Sequence, residues 1–133
     1  MSKKCTLKGK IVLAVVEGQD TVFTIEDVLD MCLVDKAYNC KEASQFLLSY
    51  HYDLVIIDIM GVNRFELLKI ATSRGFPTII LTSNAIKLGV QKESIKLGAI
   101  SLLHKEKMHE LVELFEDILS DKRNPNNVRP SSS

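Results

Sequence analysis

Leu54-Val55-Ile56-Ile57-Asp58 decides the fold: four apolar residues run without polar interruption into a carboxylate. The run is too short for a typical helix, and its lack of polar alternation suits a strand covered on both faces of a parallel sheet. Similar runs occupy residues 11–16, 77–82 and 99–104, and a weaker strand is expected near residues 36–39. Helical spacing fills the gaps. Val22, Ile25, Leu29 and Cys32 form one stripe, and Ala43, Phe46 and Leu47 another. The clearest stripe joins Met108, Leu111, Val112, Phe115, Ile118 and Leu119, with Glu110, Glu113, Glu116 and Asp117 turned away from it.

Strand and helix thus alternate five times in the 133-residue chain, which implies an α/β fold with helices on both faces of a parallel sheet. Right-handed crossovers leave few topologies. The flavodoxin-like (βα)5 three-layer sandwich, with five strands in the order 2-1-3-4-5, suits the pattern, and its site belongs at the carboxyl ends of strands 1 and 3. Residues 1–9 read as an N-terminal extension, 10–122 as one folded domain and 123–133 as a disordered tail. That tail holds Pro125, Pro130 and three terminal serines, with nothing apolar enough to bury.

Lysine plus arginine equal aspartate plus glutamate, 17 against 17, so no global field favours nucleic acid. No stretch approaches the roughly 18 apolar residues of a membrane span, and the first ten residues lack a signal-peptide core; the expected setting is cytoplasmic. The three cysteines, Cys5, Cys32 and Cys40, lack the spacing of a disulfide framework or a zinc site. Cys32 reads as a small buried hydrophobe on its helical stripe.

The strand ends concentrate the chemistry. Strand 1 ends Val15-Val16-Glu17, strand 3 ends in Asp58, strand 4 in Leu81-Thr82-Ser83 and strand 5 in Leu103-His104-Lys105. A carboxylate, a second acid, a hydroxyl and an ammonium would meet at one sheet edge. Asp58 suits a nucleophile that forms an aspartyl-phosphate. Glu17 and Asp58 suit Mg²⁺, a hard cation that takes carboxylates, carbonyls and waters. Lys105 and the Thr82 hydroxyl suit phosphoryl oxygens, in a reaction driven by positioning and charge.

This constellation resembles the receiver (response-regulator) family of two-component signalling over roughly residues 10–121. The likeness is carried by residues 52–60 (YDLVIIDIM), 65–68 (FELL), 77–83 (PTIILTS) and 97–99 (LGA) leading to Lys105. The resemblance implies Asp58 as phosphorylation site, Thr82 as switch hydroxyl, Lys105 as phosphate-binding lysine, and the Met60 carbonyl as a third ligand to Mg²⁺ beside Glu17 and Asp58. It implies a sensor histidine kinase or phosphotransfer protein as donor, and a downstream protein or a homodimer as output. Such a domain is a switch and not an enzyme in the ordinary sense.

The chain also departs from the family's pattern. Val16 stands where the first of two adjacent acids is usual, and Glu17 is longer than the usual aspartate; Asp20 lies near enough in sequence to compensate. The loop Gly61-Val62-Asn63-Arg64 is short and lacks the usual proline, and residues 65–75 leave room for a short third helix. Leu102 replaces the aromatic switch residue, and Glu106 the proline after the lysine. These departures motivate a competing reading: a phosphorylation-independent pseudo-receiver that serves as a protein-interaction module.

Overall fold

The computed structural model describes residues 6–59, 64–83 and 86–120. Met60, residues 61–63 and the tail at 123–133 lie outside the described residues. Five parallel strands, β1 (Ile11–Val15), β2 (Leu33–Ala37), β3 (Leu54–Asp58), β4 (Thr78–Thr82) and β5 (Ser101–His104), form one sheet in the order β2-β1-β3-β4-β5. The helices between and after them are α1 (Gln19–Val28), α2 (Cys40–Ser49), α3 (Arg64–Ser73), α4 (Leu88–Lys96) and α5 (Leu111–Leu119). This is the flavodoxin-like arrangement expected from the alternation of strands and helices.

Strand alternation sorts the core into two layers. Val12, Ala14, Val16, Leu54, Ile56, Ile79, Leu81 and Leu103 face α1 and α5, where Ile25, Leu111, Phe115 and Ile118 meet them. Leu13, Val15, Val55, Ile57 and Ile80 face the other way, toward Ala43, Leu47, Leu67, Leu68 and Ala71 of α2 and α3. Leu7 is fully buried in the first layer, so the chain is already packed before β1 begins.

Asp53 ties the start of the two central strands together. Its carboxylate accepts from the Ile11 N–H at 2.9 Å, and its own N–H donates to the Ile11 carbonyl at 2.8 Å. That clamp sets the register Val15↔Ile57, which brings both carboxyl ends to the same level. Asn39 caps α2 by accepting from the Glu42 N–H, while the Glu42 carboxylate accepts from the Tyr38 N–H.

Two glycines close helices in the same way. Gly75 follows α3 with φ +79°, and Gly98 follows α4 with φ +109°. In each, the N–H after the glycine bonds a carbonyl one residue deeper in the helix than the glycine's own N–H does: Gly75 bonds Thr72 and Phe76 bonds Ala71, while Gly98 bonds Ile95 and Ala99 bonds Ser94. At Gly98 a Cβ would also lie 2.9 Å from Thr72 Cγ2. Gly98→Ala is therefore expected to cost roughly 2 kcal/mol, from backbone strain and the clash together. Chemical denaturation against the wild type measures it.

Tyr52, fully buried beside the sheet, donates its hydroxyl to Asp35 Oδ2 at 2.8 Å. Burial first, and then that bond, push its phenol well above the ordinary tyrosine range. The neutral phenol is favoured in the folded chain. Its stabilisation is thus full below about pH 10 and lost as pH climbs through the raised value. Tyr52→Phe is expected to cost about 1–2 kcal/mol near neutral pH, and to flatten the loss of melting temperature above pH ~10.

Some boundaries differ from those the sequence suggests. β2 begins at Leu33 and ends at Ala37, earlier than residues 36–39. Helix α1 ends at Val28, so Leu29 and Cys32 reach the core from the turn that follows, and the half-buried Cys32 thiol donates to the Leu7 carbonyl. Burial raises that thiol's pKa to about 11. Helix α3 is as long as α1 and α2, ten residues each, because it starts at Arg64. The stripe that begins at Met108 opens as a 3-10 segment, Lys105–Glu110, before becoming α5.

Candidate functional site

Asp58 is the last residue of β3 and only 2% exposed. Four buried apolar residues precede it, so the strand carries a carboxylate out of the core to the rim of the sheet. Lys105, immediately after β5, places its Nζ 2.7 Å from Asp58 Oδ2. Both side chains follow the strand parity that faces α1 and α5: Asp58 continues Leu54 and Ile56, and Lys105 continues Leu103. The Lys105 side chain is 31% exposed, so its ammonium reaches both the carboxylate and water. A carboxylate and a cation are thus held together at the strand ends.

Val16 stands beside Asp58 when the register is extended by one step, and it is fully buried. An apolar side chain therefore occupies the place where a second carboxylate would face the same layer. Glu17 has the opposite parity. Its side chain is 56% exposed, and its Oε1 lies 3.5 Å from Arg64 Nη2. Asp20, in the first turn of α1, lines a small cavity with Lys105, Thr21, Thr24 and Met108.

Thr82 ends β4 and is buried. The register pairs Asp58 with Leu81, so Thr82 lies one residue beyond the level of Asp58. It lines a cleft at the β4–β5 edge with Ser83, Ile86, Gln91, Leu102 and His104. His104 Nδ1 caps the following segment by accepting from the Glu106 N–H at 3.1 Å. Leu102, half-buried, also borders an apolar groove with Leu88 and Ile95.

Arg64 is the residue that sequence reasoning treated only as part of a short loop. It is 3% exposed, the first residue of α3, and its Nε and Nη1 are buried without a hydrogen-bond partner among the described residues. One signal was available. A cation at a helix N-terminus opposes the macrodipole and calls for a compensating anion.

The donor set can be tested against Mg²⁺, which usually takes one or two carboxylates together with waters and phosphates. Here each of the two carboxylates already has a cation on the chain, Asp58 with Lys105 and Glu17 with Arg64. Among the described residues no group of three or more Asp, Glu, His or Cys side chains could hold a metal. A divalent ion at these carboxylates would compete with Lys105 and Arg64 for them. The Met60 carbonyl, expected as a third ligand, lies outside the described residues.

No family profile and no curated protein matches the chain. Solved structures do. A response regulator from Thermotoga maritima is similar with a TM-score of 0.74 and 25% identity, over 84% of this chain and 98% of that one. A response regulator from Hahella chejuensis is similar with a TM-score of 0.70 and 26% identity, over 91% and 100%. The receiver domain of a sensor histidine kinase from Pseudomonas aeruginosa, described with a magnesium ion coordinated in its active-site cleft, shares the fold at 18% identity. Its TM-score is 0.65, over 81% of this chain and 98% of that one. By its sheet order and these likenesses, the chain has the fold of response-regulator receiver domains. Among the described residues no helix is long and apolar enough to cross a membrane.

Proposed function

We propose that this receiver accepts a phosphoryl group on Asp58 from the phosphohistidine of a sensor histidine kinase or phosphotransfer protein. A carboxylate oxygen of Asp58 attacks phosphorus, the P–N bond to the donor imidazole breaks, and the imidazole leaves with its electron pair and takes up a proton. The carboxylate and phosphoryl oxygens repel one another, so the step depends on a cation at the acceptor. The single observation that supports this reading most is the Lys105 ammonium, 2.7 Å from a carboxylate that is otherwise buried at the end of β3.

Phosphorylation adds negative charge beside Lys105, and the Thr82 hydroxyl can donate to a new phosphoryl oxygen. Drawing the ends of β4 and β5 toward that charge biases the neighbouring edge, where a downstream protein or a second copy would read the state. The chain then works in the cytoplasm as a switch, turning over no free substrate.

A second reading keeps the fold and drops the switch. Val16 buried beside Asp58, and Glu17 engaged by Arg64, favour a pseudo-receiver that binds its partner regardless of phosphorylation. Incubation with acetyl phosphate separates the two. A gain of one phosphoryl group by intact mass, missing in Asp58→Asn, is the expected result; an unmodified wild-type chain would favour the interaction module.

A further inference from the structure

We propose that Arg64 is a phosphoryl-binding residue of this site, and that its guanidinium supplies the positive charge which lets Asp58 be phosphorylated without a divalent metal. The inference rests on reading Asp58 as the acceptor.

Three observations carry it. The guanidinium is buried, yet among the described residues only Nη2 has an anionic neighbour, and that contact with Glu17 is long at 3.5 Å. Nε and Nη1 have no partner among the described residues. A buried charge with unmet donors is a costly arrangement that an incoming anion relieves. Arginine presents those donors as a planar fork that matches two oxygens of a phosphoryl group.

Place is the second observation. Glu17 follows Val16, the residue level with Asp58 in the sheet register, so the ion pair holds the guanidinium at the rim from which the acceptor emerges. Arg64 opens α3, the helix that follows β3 directly, and the residues between them (Met60-Gly61-Val62-Asn63) carry no charge.

Charge is the third. Asp58 and Glu17 are balanced by Lys105 and Arg64. Adding Asp20, which shares a small cavity with Lys105, leaves one net negative charge, half of what a divalent ion brings. A metal would therefore enter a site with little negative potential left and a guanidinium nearby. A phosphoryl group would enter one with two cations waiting.

The step balances without a co-reactant beyond the donor. With acetyl phosphate, Asp58 attacks phosphorus, the P–O bond to acetate breaks, and acetate leaves; Lys105 and Arg64 gain hydrogen bonds to the transferred oxygens.

The test follows adduct formation from acetyl phosphate by intact mass, with Mg²⁺ and with excess EDTA, in wild type, Arg64→Ala, Arg64→Lys and Asp58→Asn. Wild type is expected to form the adduct in EDTA at a rate within a few-fold of that in Mg²⁺. Arg64→Ala should be slower in EDTA by about a hundredfold or more, the scale of losing one donor to developing oxyanion charge, with Arg64→Lys partly restored. Calorimetric titration with Mg²⁺ alone gives a readout apart from phosphorylation: Arg64→Ala should bind the ion more tightly than wild type. Circular dichroism confirms that the variants fold, and the wild-type EDTA arm decides even if they do not. An adduct that forms only with Mg²⁺ and at an equal rate in Arg64→Ala would overturn the proposal while leaving Asp58 as the acceptor. No adduct in any arm would remove the acceptor reading, and this proposal with it.

Discussion

Asp58→Asn is expected to eliminate the phosphoryl adduct completely while leaving the fold intact. An amide oxygen is a far weaker nucleophile than a carboxylate, and neither β1 residue at the level of Asp58 restores the charge. The Val16 side chain beside Asp58 is apolar, and Glu17 has the opposite strand parity and faces Arg64. The fold should survive because the substitution neutralises the buried partner of the Lys105 pair and strands no charge inside. The ammonium is already 31% exposed, so water takes over what the carboxylate gave. The unfolding free energy should stay within about 1 kcal/mol of wild type, as for pairs of which one member meets solvent. Loss of adduct with an unchanged denaturation midpoint would assign the effect to chemistry. A large loss of stability would show that the Asp58–Lys105 pair is structural first.

The second large effect is on the fold itself. Phe115→Ala should destabilise the protein by about 3–5 kcal/mol, through lost transfer energy and the cavity left behind. Phe115 is fully buried on α5 and packs in the layer that also holds Val12, Ile56 and Leu81 of the three central strands. Against a typical stability of about 5–15 kcal/mol, such a loss lowers the melting temperature by roughly 10–20 °C. Phe23 provides the control. It lies on α1 with 60% exposure, and Phe23→Ala should change stability by no more than about 0.5 kcal/mol. Paired thermal melts check both. Helix α5 follows directly on the segment that begins with Lys105, so Phe115→Ala should also loosen the Lys105 contact with Asp58.

How much of this was legible without coordinates depended on whether a signal was local. Strands β1, β3 and β4 are covered on both faces and read as unbroken apolar runs, and the ends of β3 and β4 fall where those runs stop. Strand β2 lies at the sheet edge and carries Asp35 and Lys36, so its apolar pattern is diluted and the expected position slid toward residue 39. The stripe through Leu29 and Cys32 overran helix α1, because burial continues into the turn where the helix does not. The stripe of α5 omitted Leu114, which is buried, because α5 lies deep enough to bury a wider arc than its central ridge.

The site was legible where a strand end alone carried the chemistry. Asp58 and Lys105 come together because parallel strands deliver their last residues to one rim. Glu17 was read as an acid at the end of strand 1, and its partner Arg64 was not foreseen. Arg64 lies far from it in sequence, and no periodicity links a loop glutamate to the first residue of a helix. Only its position against the helix dipole hinted at a tethering anion.

The most direct test of the central claim is to treat the chain with acetyl phosphate, reduce any acyl phosphate with borohydride to homoserine, and map the peptides by mass. Homoserine is expected at position 58 and at no other aspartate. No homoserine, or its appearance at Asp20, Asp35 or Asp53 in place of Asp58, would contradict the claim.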